Sequence, residues 1–389
     1  MIGQAEPHVG LRRHRALRAA VRGNRRPPPA PRRRRPGRPE TFRLPSVLLV
    51  NVVEGFTMDY ANLGTSGLKV SRIALGCMSF GRPGTGRDWT LDADSAASIF
   101  KQAIELGINF WDTANTYGKG SSEEITGDAV KQYTSRDQVV IATKLFAPMG
   151  TGPGGRGLSR RAVFEQLDAS LRRLGTDWID LYQIHRFDRL TPVEETMEAL
   201  HDAVKSGKVR YLGASSMWAW QFSKMQYTAQ LHGWTKFISM QDQYNLVARE
   251  EEREMFPLLA DQGVGSLPWS PLAAGLVTRP WGNVSTTRGT LNPTADSSGT
   301  PLFLDSDRGT IDAVERIAES RGVSMAQVAM AWVLRNPVVT APIVGATRPH
   351  HLSDAVAALD LVLSDDEVTA LEEHYTPRKP TYYGSESGY

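Results

Sequence analysis

The sequence predicts an α/β protein, a parallel (β/α)8 TIM barrel with an N-terminal β-hairpin and two extra helices. Short β-branched or aromatic runs alternate with longer segments whose apolar residues recur at helical spacing. Because this alternation repeats eight times, a closed barrel is favoured over an open sheet. The predicted strands are residues 72–75, 109–111, 138–143, 179–184, 209–212, 237–240, 264–268 and 341–344.

The other predicted elements surround this repeating core. Residues 60–70 contain a Gly-Thr-Ser-Gly turn at 64–67 and are predicted to form a hairpin that closes the bottom of the barrel. Two helices, at 306–321 and 364–374, exceed the eight units. Residues 280–300 are rich in Gly, Ser, Thr and Asn, are too long for an ordinary connection, and form a candidate lid. Helices between the strands are predicted at, among others, residues 93–106, 160–174, 196–206, 250–262 and 325–334.

Charge divides the 389-residue chain into two regions. Residues 1–57 contain 13 Arg, no Lys and three Glu, and since the whole chain carries +3, residues 58–389 carry −7. A basic segment of low hydrophobicity cannot offset the entropy of ordering, so residues 1–57 are predicted to be a disordered extension. A targeting sequence or a basic binding arm remains an alternative. Residues 58–389 are predicted to be the barrel domain, and a folded protein starting at Met58 would make residues 1–57 a misassigned start.

Charge and composition also exclude several kinds of partner. The acidic remainder gives no electrostatic reason to bind nucleic acid, and no stretch reaches the roughly 18 apolar residues that span a bilayer. Cys77 is the only cysteine, which excludes an internal disulfide and fits a cytoplasmic protein. The neighbouring His350 and His351 lack the i, i+4 spacing of a metal pair, so no metal is expected. The oligomeric state is not predicted.

Four predicted strands end in polar residues that would be out of place in an apolar core. Asp112, Lys144, His185 and Gln241 stand at or directly after the carboxyl ends of strands, on the face where barrel active sites lie. Because a lone buried charge is costly, Asp112 and Lys144 are predicted to pair. A positive charge beside a tyrosine favours the phenolate and makes the tyrosine a usable general acid. Tyr117 is placed for that role, and His185 is expected to orient the carbonyl oxygen of a substrate.

Each of these residues also has an ordinary structural explanation. Taken singly, Asp112 fits a loop cap, Lys144 a surface charge and His185 a core histidine, whereas their grouping at consecutive strand ends favours catalysis. The G-x-G-x-x-G pattern at 150–155 matches a dinucleotide-binding fingerprint, but Pro153 interrupts it and the next helix opens only near residue 159. A flexible loop is therefore predicted there. Cys77 is predicted to line the pocket rather than to act as a nucleophile, because no base stands beside it in the sequence. The residues predicted either to line the pocket or to belong to the core are Met78, Trp111 and Trp218.

Five motifs, taken together, resemble the aldo/keto reductase superfamily. They are Asn-Phe-Trp-Asp-Thr-Ala-Asn-Thr-Tyr at 109–117, Ala-Thr-Lys at 142–144, Asp-Leu-Tyr-Gln-Ile-His at 180–185, Gly-Ala-Ser-Ser at 213–216 and Trp-Ser-Pro-Leu at 269–272. The resemblance runs from about Met58 to the last helix and looks closest to bacterial, NADPH-dependent members. It implies reduction of an aldehyde or ketone to an alcohol by hydride transfer, with a catalytic group of Asp112, Tyr117, Lys144 and His185.

The same resemblance implies a nicotinamide cofactor and its contacts. Position 216 is often Asn in the family and is Ser here. Arg348 beside Thr347 suits a 2′-phosphate, because a guanidinium offers paired hydrogen bonds to it, so NADPH is expected. The implied contacts are Ser215, Ser216 and Gln241 for the carboxamide, Trp269 stacking on the nicotinamide, Ser270, Leu272, Ala273 and Gly275 for the pyrophosphate, and Gly345, Thr347, Arg348 and His351 for the adenosine end.

Two other functions remain open from the sequence. A barrel lysine such as Lys144 could form a Schiff base with a substrate, as in an aldolase, and this would need no nicotinamide. Some members of the superfamily act instead as cofactor-sensing regulatory subunits of membrane channels, and the catalytic group does not exclude that role. The expected partner is in each case a small molecule, and for the reductase it is a carbonyl compound whose identity the sequence does not specify.

Overall fold

The centre of the molecule is an eight-stranded parallel sheet. The computed structural model describes residues 58–85, 89–152, 155–283 and 304–379. The predictions for residues 1–57 and for most of the candidate lid lie outside these ranges. The strands of the sheet are β3 (Ala74–Gly76), β4 (Phe110–Asp112), β5 (Val140–Leu145), β6 (Ile179–Ile184), β7 (Val209–Ser215), β8 (Phe237–Gln241), β9 (Gly265–Ser266) and β10 (Ile343–Gly345).

The sheet curls until its first and last strands meet. β10 pairs in parallel with β3, with Ile343 opposite Ala74. At the other edge, the Ser266 N–H of β9 donates to the Val338 carbonyl at 2.9 Å, and the Thr340 N–H donates back to Ser266 at 2.9 Å. These bonds join β9 to the chain leading into β10, so the eight strands close as the (β/α)8 barrel that the alternating pattern predicts.

A β-hairpin fills the bottom of the barrel, as predicted. β1 (Tyr60–Asn62) and β2 (Lys69–Ser71) pair antiparallel, and the Thr65 N–H donates to the Gly263 carbonyl, just before β9, at 2.8 Å. Gly64, with φ of 58°, brings its backbone so close that an added Cβ would lie 2.4 Å from the Gly263 oxygen. The hairpin region contributes Leu63 and Val70 to the inner core of the barrel. The buried residues of this inner core are Leu63, Val70, Ala74, Phe110, Ala142, Leu181, Leu267, Ala341 and Ile343.

Helices cover the outside of the strands. Trp111 and Tyr182 point outward from β4 and β6 and are fully buried under this layer, because successive strand residues face opposite sides of a sheet. None of the helices in the described ranges is long and apolar enough to cross a membrane. The helices are α1 (Ala93–Glu105), α2 (Ser121–Tyr133), α3 (Arg160–Leu174), α4 (Val193–Lys205), α5 (Ala219–His232), α6 (Met255–Gln262), α7 (Arg308–Arg321), α8 (Met325–Leu334), α9 (His350–Ala357) and α10 (Asp365–Glu372).

The prediction of one helix over residues 250–262 is wrong. A 3₁₀ turn at Glu250–Glu252 is separated from α6 by Glu254, whose φ of −136° is not helical. Pro257 supplies the physical reason, because proline lacks an N–H and clashes with a preceding helical turn. It is tolerated only in the first turn of a helix, and α6 begins two residues before it. The two extra helices are confirmed as α7 and α10.

Candidate active site

A buried ion pair lies at the carboxyl end of the barrel. β4 and β5 are neighbours in the sheet, and the Lys144 Nζ lies 2.5 Å from the Asp112 Oδ2, with both side chains almost completely buried. The second oxygen of Asp112 accepts hydrogen bonds from Gln183 at 2.9 Å and Gln241 at 3.0 Å. Four strands therefore fix this carboxylate, whose charge is matched by Lys144.

Lys144 makes two further contacts. Its Nζ donates to the Thr113 carbonyl at 2.9 Å and lies 3.3 Å from the Tyr117 hydroxyl. Burial by itself lowers the pKa of Lys144, but the nearby Asp112 carboxylate and Tyr117 outweigh burial, and the pKa is raised above its ordinary value. Lys144 is thus an ammonium at neutral pH and directs a positive charge at the tyrosine hydroxyl.

The backbone after Tyr117 holds this side chain in place. Gly118, Lys119 and Gly120 follow with φ of 54°, 53° and 96°, a left-handed run that an L-residue such as Lys119 rarely adopts. The Ser121 hydroxyl, at the start of α2, stabilises the turn by donating to the Gly118 carbonyl at 2.7 Å. Tyr117 is therefore presented by a tight turn whose geometry the next helix fixes.

His185 completes the group that the sequence predicts. Its backbone N–H continues the β5–β6 pairing by donating to the Leu145 carbonyl at 2.9 Å. The imidazole lies edge-on to the Tyr117 ring, with 5.8 Å between centroids and 78° between planes. The structure thus brings all four predicted side chains to one end of the barrel. It also adds Gln183, whose inward direction could have been read from its position two residues before His185 on the same strand face.

The residues predicted to contact a carboxamide meet at the ends of β7, β8 and β9. The Ser215 hydroxyl donates to the Gln241 carbonyl at 2.8 Å, and the Trp269 indole N–H donates to the Ser216 hydroxyl at 3.0 Å. Ser215, Ser216 and Gln241 are each at most 3 % exposed. The cluster therefore forms an ordered, polar wall beside the ion pair.

The loop after Trp269 contains several residues in the left-handed conformation. Ser270, Ala273, Ala274 and Gly275 have φ of 49°, 49°, 55° and 95°. Successive residues of this kind turn their N–H groups toward one side and make an anion-binding concavity. Ser270, Ala273 and Gly275 are three of the four predicted pyrophosphate contacts. The fourth, Leu272, lies between Ser270 and Ala273 and has an ordinary negative φ of −107°. The N–H groups of Ala273 and Gly275 donate within the loop, to the Ser270 and Leu272 carbonyls at 2.9 and 2.8 Å, so the contact of this loop with a pyrophosphate stays a prediction.

The last group of predicted residues lies at the end of β10 and the start of α9. The Thr347 N–H donates to His351 Nδ1 at 3.3 Å, and Gly345 and Arg348 are exposed. Burial, followed by the neighbouring His350, Arg348 and Arg279, lowers the pKa of His351 to about 4. Since this influence requires proximity, Arg279 from the loop after β9 and Arg348 from the loop after β10 together form a positive region.

Sequence reasoning missed Arg279 at this place. Its side chain folds back on the loop after Trp269, with Nε donating to the Gly275 carbonyl at 2.9 Å, and burial lowers its pKa. In a sequence, a basic residue four positions after a glycine-containing turn is by itself only a weak indication of a phosphate site. Together, the turn and the two guanidinium groups fit the phosphates of a dinucleotide.

The burial of the side chains shows which of the candidate pocket residues belong to the core. The prediction that Cys77 lines the pocket is wrong: the residue is fully buried in the hydrophobic core, and burial, the largest cause, raises the pKa of its thiol to about 12. Trp111 belongs to the core as well, whereas Met78 is half-buried and Trp218 is 38 % exposed. Helix α3 opens at Arg160, capped by Ser159, so Gly155 is not followed directly by a helix. In the described part of the chain, no cluster of three His, Cys, Asp or Glu side chains could hold a metal.

The fold and these contacts define an α/β barrel whose carboxyl end combines a buried ion pair, next to a tyrosine hydroxyl, with a loop of left-handed residues. Comparison with known proteins agrees: residues 72–376 match the aldo/keto reductase family. The chain is 46 % identical over 339 residues to versiconal hemiacetal acetate reductase of Aspergillus parasiticus, covering 82 % of this chain and 98 % of the relative. It is 43 % identical over 356 residues to aldo-keto reductase AMT2 of Alternaria alternata, covering 85 % and 95 %.

A third relative, aldo-keto reductase dtxS3 of Metarhizium robertsii, is 43 % identical over 349 residues, which are 83 % of this chain and 92 % of the relative. The chain belongs to the aldo/keto reductase family and is an oxidoreductase. All three relatives are fungal, so the resemblance extends beyond the bacterial members that the motifs suggest.

Proposed function

We propose that the protein is an NADPH-dependent reductase that converts aldehydes or ketones to alcohols, with Tyr117 as the general acid. The observation that carries this proposal is the position of Lys144, whose ammonium is held by Asp112 and lies 3.3 Å from the Tyr117 hydroxyl. A positive charge at that distance stabilises the phenolate that remains after proton donation. The Lys144 ammonium therefore favours the proton donation from Tyr117 that reduction of a carbonyl group requires.

The four side chains divide the work of the reaction. A bound reduced nicotinamide supplies the hydride to the carbonyl carbon. Tyr117 donates its proton to the carbonyl oxygen, and Lys144 stabilises the tyrosine oxygen as the proton leaves. Asp112 keeps Lys144 charged and in place through the 2.5 Å contact. His185, edge-on to Tyr117, binds the same oxygen and orients it, which favours a productive approach.

The cofactor is assigned to the polar wall and the positive region of the site. Ser215, Ser216 and Gln241 would bind the carboxamide, and Trp269 would hold the nicotinamide ring. In the same proposal, the adenosine end lies at Gly345, Thr347 and His351, and Arg348 binds the 2′-phosphate, which favours NADPH over NADH. The pyrophosphate contacts are Ser270, Leu272, Ala273 and Gly275.

The substrate is a small carbonyl compound. The Aspergillus relative is named as a reductase of versiconal hemiacetal acetate, which supports the direction of reduction proposed here. We place the protein in the cytoplasm, in keeping with its single, buried Cys77.

The Schiff-base alternative is weakened by the site itself. An amine attacks a carbonyl group only in its neutral form, whereas the Asp112 carboxylate keeps Lys144 protonated and raises its pKa. The regulatory-subunit alternative predicts that a cofactor binds without turnover of any carbonyl compound.

A spectrophotometric screen tests the proposal. Loss of NADPH absorbance is followed with aldehydes, quinones, sugars and steroid-like ketones, with NADH in parallel. We expect turnover with at least one class, and faster turnover with NADPH. Binding of NADPH without turnover across the panel would instead support the regulatory role, and borohydride trapping of a substrate on Lys144 would support the aldolase.

A further inference from the structure

Asp242 lies at the junction of the three strand ends that form the polar wall. It directly follows Gln241 at the end of β8 and is 1 % exposed. Its Oδ1 accepts the backbone N–H of Ser216 at 2.9 Å, and its backbone carbonyl accepts the N–H of Trp269 at 2.9 Å. One buried residue therefore contacts both the β7 end and the β9 end.

These bonds fix the shape of the wall. Ser216 has φ of 48°, a left-handed conformation that costs energy for a residue with a side chain. The Asp242 carboxylate offsets this cost by binding the N–H that the turn exposes. Ser216 then accepts the Trp269 indole N–H at 3.0 Å, so the indole and the backbone of Trp269 are each tied to the Ser216–Asp242 pair.

A carboxylate at this place also contributes charge. A backbone N–H that donates to a carboxyl group favours the ionised form, which burial opposes, and in that form the charge of a buried group acts over several ångströms with little screening. Oxidised nicotinamide carries a positive ring, whereas reduced nicotinamide is neutral, and the rest of the dinucleotide is the same in both. A fixed negative charge beside the ring stabilises the oxidised cofactor relative to the reduced one.

We propose that Asp242 is a positioning residue that holds Ser216 and Trp269 and, through its charge, tightens the binding of NADP⁺ relative to NADPH. This inference rests on the proposed function, because it assumes that the nicotinamide lies against Ser216 and Trp269. It concerns a residue that lies outside the group of four and makes no contact with the reacting atoms. Its consequence is a bias of the bound cofactor toward the product of carbonyl reduction.

The test measures affinity for three ligands by quenching of tryptophan fluorescence. Asp242→Asn keeps the shape of the side chain and removes the charge, so the ratio of the Kd of NADP⁺ to the Kd of NADPH should rise by about 5- to 30-fold, as expected for one unit charge at several ångströms. Binding of 2′-phospho-ADP-ribose, which lacks the nicotinamide, should change less than 2-fold. Asp242→Glu keeps the charge and should keep the wild-type ratio.

Asp180→Asn is the matched control, because Asp180 also accepts a backbone N–H, from Ile141 at 2.9 Å, but at the opposite end of the barrel. It should leave the ratio unchanged. If Asp242→Asn fails to fold, Asp242→Ser supplies the neutral variant. An unchanged ratio, with or without a loss of both affinities, would overturn the charge role. A wild-type protein that binds 2′-phospho-ADP-ribose but neither full cofactor would overturn the inference and the nicotinamide assignment together.

Discussion

Substitution of Tyr117 should lower turnover without weakening the binding of NADPH. Tyr117→Phe keeps the ring that packs against His185 and deletes the hydroxyl that faces Lys144. Turnover should fall by about 100- to 10,000-fold, the range for a lost general acid, while the Kd of NADPH changes little. Single-turnover kinetics and a fluorescence titration measure the two effects separately.

The control for this change is Tyr227→Phe, because Tyr227 is exposed on α5 and makes no part of the ion-pair group. It should leave both turnover and binding unchanged. Near wild-type turnover of Tyr117→Phe on a good aldehyde would remove the tyrosine from the mechanism.

Substitution of Arg348 tests whether this side chain makes the protein prefer NADPH to NADH. Arg348→Ala should weaken NADPH binding by about 1.5–3 kcal/mol, the range for hydrogen bonds to charged groups, and should leave NADH binding nearly unchanged. The measurement is a pair of calorimetric titrations. Arg335→Ala is the control, because Arg335 pairs with Glu372 on α10. Equal losses for both cofactors would show that Arg348 does not read the 2′-phosphate.

Single residues at strand ends were predictable because alternation in a parallel strand fixes their direction. Asp112 and Lys144 stand out in this way, since an ion at the end of an apolar strand needs a partner. Asp242 and Arg279 were not predictable, because their positions depend on the path of loops that follow the strands. Cys77 was predicted to line the pocket, and only the packing around it shows that it belongs to the core.

Among the helices, α2 and α3 approach each other through Gly127. A Cβ added at this residue would lie 2.2 Å from the Leu174 carbonyl oxygen, a backbone atom that cannot move aside. Gly127→Ala should therefore destabilise the protein by about 1–3 kcal/mol, although alanine is the better helix former by about 1 kcal/mol. Urea unfolding measures the free energy.

Gly67→Ala is the matched control, because the nearest atom to its added Cβ is the Tyr211 hydroxyl at 4.0 Å. Its midpoint should stay close to that of the wild type. An increase in stability of Gly127→Ala would show that α2 and α3 can move apart at little cost.

Element boundaries differ most from expectation where tertiary contacts set them. The predicted strand at 264–268 is only Gly265–Ser266 in the structure, because the Val264 N–H donates to the Leu259 carbonyl in α6 and Pro268 has no N–H for the ladder. The end of β7, by contrast, extends to Ser215, three residues beyond the apolar run that predicted it. The periodicity of apolar residues predicts that such strands exist, but it does not predict how far their polar ends stay hydrogen-bonded to the neighbouring strand.

For the whole molecule, the hairpin at the barrel bottom sets the shortest chain that should fold. A chain starting at Met58 retains β1, and its thermal midpoint and activity should match those of the full chain, because residues 1–57 have a composition that cannot build a core. A chain starting at Gly67 loses β1 and the fully buried Leu63. It should unfold at a clearly lower temperature in a calorimetric scan.

Loss of activity in the chain starting at Met58 would assign the basic extension a role that its composition does not indicate. The retention of both properties would support residues 58–389 as the domain.

The hairpin covers the amino end of the barrel, whereas the ion pair and the polar wall lie at the carboxyl end, which bears on the order of binding in a catalytic cycle. The Ser215 and Gln241 side chains are 1 % and 3 % exposed, whereas Trp218, which follows the same strand end, is 38 % exposed. From this difference in burial we infer that a carbonyl compound binds nearer Trp218 and would cover a cofactor held at Ser215 and Gln241. Under the proposed function, the cofactor therefore enters first and departs last, and the alcohol product leaves before it. Product-inhibition patterns would then show competition between NADP⁺ and NADPH, and no competition between the alcohol and NADPH.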